Sequence, residues 1–295
     1  MKRIALLFLV GLAMAFAQPR QAAARSTRVQ HGGQQRERQA APRSTAQFAK
    51  STAPQPSSAL VDPNDRVFAD VVYGGGWEMV LTFVNMSGGR ERLTLSFYND
   101  DGSTASVPLV NPDGSISAYT GVDVALDGNT SSELVVADVG KDVISGWAYV
   151  SLPAGVSYIA GQAVARVKDA DGFVISESVE SLTNTQDYNL FAPFDNQDGV
   201  STSLVLINPG NAKTANIVLS VQDSSGGVLV RDRFDLLAGT RVTINLPAAY
   251  KATAGVSGKV RVSGDIKSLS AICFRVSDGG SFAYSPIFNW SGLLK

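Results

Sequence analysis

Few residues of this chain carry reactive chemistry. There is one histidine, His31, and one cysteine, Cys273. A serine or cysteine nucleophile activated by imidazole needs a histidine in the folded body, and His31 lies in a stretch whose composition argues against a core. A histidine-ligated zinc or iron centre fails for the same reason, and a single cysteine makes no thiolate cluster. Gly74-Gly75-Gly76 runs into Trp77 and then a strand, whereas a phosphate cradle opens a helix. The reading assigns no catalytic residue, no metal ligand and no cofactor.

Two chemistries need no histidine. Paired carboxylates hydrolyse glycosides, and 25 of the 26 acidic residues lie from Val61 onward, most in Asp-Gly or Asn-Asp turns where such side chains accept from backbone amides. A carboxylate glycoside hydrolase therefore stands as an alternative, not as the expectation. Asp169-Ala170-Asp171-Gly172 resembles part of a calcium loop, but Val167 falls at the first ligand position and Ser178 at the terminal glutamate. A hairpin turn is expected there. Looser oxygen cages from Asp100, Asp101 or Asp123 stay open.

The remaining candidates are aromatic, and the strands that carry them set which way they face. Val256, Gly258, Val260 and Val262 alternate with Ser257, Lys259, Arg261 and Ser263, so the second set faces water. The matching stretch Ile144-Ser145-Gly146-Trp147-Ala148-Tyr149-Val150 then puts Ile144, Ala148 and Val150 inside, and Trp147 and Tyr149 outside. Two outward aromatics two residues apart form a flat strip that binds sugar rings or partner proteins; the competing reading covers them with a loop or a neighbouring domain. Tyr98 is a further outward aromatic, and Trp77 is expected to pack partly buried over its glycine turn.

That match is one of several. Gly74 to Asn85, GGGWEMVLTFVN, is echoed by Asp198 to Asn208, DGVSTSLVLIN. Leu93, Leu95 and Phe97 alternate ahead of Asn99-Asp100-Asp101-Gly102, as Ile217, Leu219 and Val221 do ahead of Asp223-Ser224-Ser225-Gly226. Alternation closed by an Asp-Gly turn is the strand and hairpin pattern. Ala163 to Val167 is matched by Ile272 to Val276. Short strands at turn spacing, with one helical turn expected at Pro247 to Ala252, predict an all-β chain of two tandem immunoglobulin-like β-sandwiches, residues 63–186 and 187–295.

The N-terminal part has another character. Lys2 and Arg3, the apolar run from Ile4 and the exit Ala15-Phe16-Ala17 predict a signal peptide over residues 1–17, and hence a secreted, periplasmic or cell-surface protein. Residues 18–62 predict a disordered linker, with seven basic residues against one acidic up to Leu60, able to contact anionic surfaces. From Val61 onward 16 basic residues face 25 acidic ones, a balance of −9. Asn85-Met86-Ser87, Asn129-Thr130-Ser131 and Asn289-Trp290-Ser291 fit the N-glycosylation pattern and are taken as coincidence. Cys273, in an apolar run, reads as a small buried hydrophobe without a disulfide partner.

The Gly-Gly-Gly-Trp turn, the strand ending at Asn85, the Asn-Asp-Asp-Gly hairpin and the Gly146-Trp147 strand resemble those of uncharacterised exported bacterial proteins with tandem β-sandwich repeats. The resemblance covers about Val67 to Trp290 and implies fold and location, with no activity to carry over; the second copy has Val200 and Lys259 in place of the two tryptophans. The expected function is a non-enzymatic adhesion or surface and matrix interaction module, its partner a polysaccharide or a surface protein. A carbohydrate-binding protein using the aromatic strip and a subunit that self-assembles through open sheet edges are alternatives.

Overall fold

In a computed structural model, residues 49–50, 65–153, 158–184, 189–210, 213–266, 269–278, 280–285 and 287–289 are described. The expected signal peptide and most of the expected linker lie outside them. The first half of the chain contributes β1 (Ala49–Lys50), β2 (Arg66–Tyr73), β3 (Trp77–Asn85), β4 (Glu91–Tyr98), β5 (Val107–Val110), β6 (Ile116–Tyr119), β7 (Gly121–Leu126), β8 (Ser131–Val136), β9 (Ile144–Ser151), β10 (Ile159–Lys168), β11 (Val174–Ser181) and β12 (Thr183–Asn184). The second contributes β13 (Asn189–Asp195), β14 (Val200–Ile207), β15 (Ala215–Asp223), β16 (Val228–Leu236), β17 (Arg241–Asn245), α1 (Leu246–Ala249), a 3-10 turn (Lys251–Thr253), β18 (Ser257–Gly264), β19 (Ser270–Ser277), β20 (Phe282–Ser285) and β21 (Phe288–Asn289). The chain is all-β, and the one α-helix among the described residues falls in the segment expected to make a helical turn. Asn245 caps it, its side chain accepting from the Ala248 amide at 3.1 Å.

Four antiparallel sheets result, ordered β1-β7-β4-β9-β2-β12, β11-β10-β3-β8-β5-β6, β16-β15-β18-β13-β21 and β17-β14-β19-β20. The order β7-β4-β9-β2 in the first sheet has the form of β16-β15-β18-β13 in the third, and β8-β3-β10-β11 in the second that of β17-β14-β19-β20 in the fourth. The hairpin β5-β6 is an addition of the first half. Alternating side chains fill a core between the first two sheets, with Met79, Leu81 and Phe83 of β3 against Leu93, Leu95 and Phe97 of β4. Leu204 and Leu206 of β14 and Ile217, Leu219 and Val221 of β15 do the same between the third and fourth.

The shared Ser-Gly dipeptide has a steric cause. A Cβ on Gly146 would lie 2.3 Å from the Tyr98 carbonyl oxygen, and one on Gly258 2.0 Å from that of Gln222. Strands β9 and β18 thus approach their neighbours at equivalent places, where only glycine fits.

Two expectations need correction. Ala49 and Lys50, placed in the disordered linker, pair with Asp123 and Val122 on the free edge of β7. Ile144, expected inside, is 42% exposed because the core alternation takes hold only at Ala148, beyond the close approach at Gly146.

Candidate functional site

The four aromatic candidates all lie against the second half of the chain. Trp147 and Tyr149 do face away from the first core, whose share of β9 is Ala148 and Val150. They do not face water. Trp147 is 1% exposed and Tyr98 3%, their rings stacked at 4.6 Å, and Val205, Ile207 and Ile272 of the fourth sheet cover them. The covered face, not the open strip, is what forms. The reason is in β14: Leu204 to Ile207 are four consecutive buried apolar residues, alternately filling the second core and this seam. Tyr149 is half-buried at the margin, its hydroxyl donating to Asp65. Trp77, expected to pack partly buried over its glycine turn, is buried, and its ring meets Phe282 of β20 at 4.7 Å, so the second half reaches into the first core.

Polar groups close the seam around a bulge in β2. Pairing with β9 runs from Arg66 to Phe68, breaks, and resumes at Val71 opposite Gly146, so Ala69 and Asp70 together oppose Trp147. The two amides of the bulge lose their ladder partners, and the Glu180 carboxylate of β11 accepts from both, at 2.5 Å from Ala69 and 3.3 Å from Asp70. The orphaned Ala69 carbonyl accepts from Arg241 Nε at 3.0 Å. Arg241 then spends every remaining donor nitrogen here: Nη2 donates to Asp70 at 2.6 Å, and Nη1 to Asp100 at 2.7 Å and Ser145 Oγ at 3.2 Å. Its amide donates to the Asp100 carbonyl at 2.9 Å, and the Tyr284 hydroxyl donates to the other Asp70 oxygen at 3.0 Å.

Three carboxylates around one guanidinium cannot all ionise cheaply. Burial raises the Asp70 carboxyl, outweighing Arg241 and the Tyr284 hydrogen bond. Burial holds Glu180 well above its usual range against the pull of the Ala69 amide, with the Asp70 charge adding to the rise. Burial works against the charge of Arg241, but Asp70 and Asp100 outweigh it and keep the guanidinium charged. Burial also raises the Tyr284 phenol well above its usual value, Asp70 and Glu180 adding to the effect.

The two halves also meet edge to edge. Ser176 and Ser178 of β11 turn their hydroxyls to β20, accepting from the amides of Phe282 at 3.2 Å and Tyr284 at 2.7 Å. Two open strand edges thus block each other without a backbone ladder. Beside Trp147, a cleft lined by Val71, Tyr98, Asn99 and Ser145 has an interior of about 10 Å³, the room of one water molecule. A sugar ring does not enter it, and the buried Trp147 indole N–H has no hydrogen-bond partner among the described residues.

The two carboxylates at the bulge, Asp70 and Glu180, are therefore committed to backbone amides, a guanidinium and a phenol. Among the described residues no group of three or more His, Cys, Asp or Glu is placed to hold a metal. Sequence reasoning missed Asp70, Glu180 and Arg241. Only Asp70 left a trace, as one acid inside the apolar run Val67 to Tyr73. Cys273 is buried, as expected, and burial pushes its thiol up to about 12.

No protein-family model and no curated protein matches the chain. Among solved structures, a vicilin from Solanum melongena aligns with 86% of this chain and 86% of its own at 8% identity and a TM-score of 0.20, too low to inform fold or function.

Proposed function

We propose that the chain is an exported, non-enzymatic interaction module made of two tandem immunoglobulin-like β-sandwiches, residues 63–186 and 187–295, set as one rigid body. The observation that carries this is the seam itself. A buried arginine of the second half bonds the bulge of β2, the turn after β4 and the start of β9, and Phe282 enters the first core. Such an investment in fixing two sheet pairs suits a protein that presents its outer faces at a set distance and angle, as an adhesion or matrix component does. The repeated strand order supports the tandem reading, and the basic start, apolar run and Ala-Phe-Ala exit support export.

The test is cellular. A strain without the chain should attach less to surfaces and matrix than its parent, and added purified protein should restore attachment. Unchanged attachment removes the adhesion reading, and recovery of the chain from the cytoplasm at full length removes export.

A further inference from the structure

The outer face of the third sheet differs from the rest of the protein. Leu190, Ala192, Val260, Val262, Leu219 and Val221 point into the second core, so the residues between them point out. Across one row, Phe288 lies beside Phe191, Phe191 beside Arg261, Arg261 beside Ser220, and Ser220 beside Arg231. Lys259 sits one outward position before Arg261 on β18, and Arg233 one after Arg231 on β16. All four cations are exposed.

Strand geometry spaces them. Outward neighbours on one strand are about 7 Å apart, and positions two strands away about 10 Å. Lys259, Arg261, Arg231 and Arg233 therefore form an oblique stripe about 17 Å long across the sheet. None of them makes an ion pair among the described residues. The carboxylates near the face are at its ends or engaged: Asp235 closes the β16 end, Asp223 accepts from the amides of Ser225 and Gly227, and Asp265 holds Lys213 and Asn216. An unpaired stripe of four positive charges stands on a body whose balance from Val61 onward is −9.

We propose that this face is a docking surface for a linear acidic polysaccharide. Charge complementarity selects an extended polyanion, because four cations in a line meet repeating negative groups at successive points, and guanidinium forks pair carboxylates in two parallel hydrogen bonds. The placement of the aromatics selects sugar over nucleic acid. Single-stranded nucleic acids stack bases on aromatics interleaved with the charges, whereas here the middle of the sheet carries Val218, Ser220 and Gln222. Phe191 lies at the flank, under Arg261 at 5.7 Å, and Phe288 beside it is 48% exposed, giving one apolar step at the end of the stripe for a ring face. The reading of the chain as a surface-interaction module is the ground for this proposal, which gives that module a ligand class and a face.

The experiment is titration of the full chain with polygalacturonate at low salt, against neutral dextran and single-stranded DNA of similar length. The proposal expects binding to polygalacturonate alone, weakened 10-fold or more at about 0.5 M salt, where charges beyond about 4 Å are screened. With the seven basic residues of the linker replaced by Gln in both proteins, the further quadruple change Lys259→Gln, Arg261→Gln, Arg231→Gln, Arg233→Gln should lose it while keeping the circular dichroism of its parent, the lost folded-state contacts being those of Arg261 with Asn189 and the Phe191 ring. Binding that survives in that variant overturns the proposal, as does no binding at low salt. Tighter binding of DNA through the same residues also overturns it, in favour of a nucleic-acid partner. Should polygalacturonate fail while cells still need the chain to attach, the ligand class falls and the module reading stands.

Discussion

Arg241, the first residue of β17, donates to the Asp70 carboxylate in the bulge of β2 at 2.6 Å, joining positions 171 residues apart with an arginine side chain only 2% exposed. Removing one partner of such a pair leaves the other charge buried and alone. Arg241→Met should therefore lower stability by about 3–5 kcal/mol, read from urea unfolding. Adding Asp70→Asn should recover part of it, so that the double variant is less destabilised than the summed single variants by about 0.5–3 kcal/mol. Strict additivity would mean that the contact contributes nothing.

Glu180 gives a pH dependence of definite sign. Burial raises its folded pKa above its ordinary value, so its contribution to stability is complete below that ordinary value and is lost as pH rises through the folded one. Asp70, also raised by burial, acts with the same sign. The urea midpoint of the wild type should therefore exceed that of Glu180→Gln by the most in acid, and the gap should narrow toward neutral and alkaline pH. A gap that widens with rising pH contradicts the buried carboxyl described here.

Phe282 couples the halves through Trp77, so one unfolding event should report on both. In a Trp290→Phe background, tryptophan fluorescence senses Trp77 and Trp147 on the first half, and its transition should coincide with that seen by circular dichroism. Phe282→Ala should cost about 3–5 kcal/mol and shift both transitions together. Two separated transitions in the unmutated seam would show that the halves fold independently.

Glycine at position 146 answers to space, and at position 114 to backbone angle. Gly114 has φ of 84° and open surroundings, so Gly114→Ala should cost about 1–2 kcal/mol. Gly146→Ala drives a Cβ to 2.3 Å from the Tyr98 carbonyl, and the strands must part; about 2–3 kcal/mol is expected. Equal thermal shifts for the two would show that β4 and β9 yield more easily than their geometry suggests.

Period-two alternation made the strands legible wherever a strand has one wet and one dry face. Glu91 to Leu95 and Ile217 to Val221 needed nothing more. The same rule placed Trp147 and Tyr149 on the correct side of β9 and misjudged what lay beyond it. Alternation within one strand reports a single core, and a second layer of packing shows only in the covering strand, here as the unbroken run Leu204 to Ile207. Arg241 and Glu180 were illegible for a different reason. Each serves a bulge on a distant strand, and a bulge is a register event between two strands that neither announces alone. Of the cations on the third sheet's outer face, Lys259 and Arg261 were read as water-facing, and Arg231 and Arg233 join them only through the pairing of β16, β15 and β18.

The serine contacts between β11 and β20 also set an order in time. Ser178 precedes its partner Tyr284 by 106 residues, which at usual rates of chain elongation is an interval of about 5–20 s. Through that interval the first half has a hydrophobic seam and an uncovered strand edge with nothing of its own to close them, so a folding helper or delayed folding of the first half has its task in that window, and the last strands made are the ones that end the exposure.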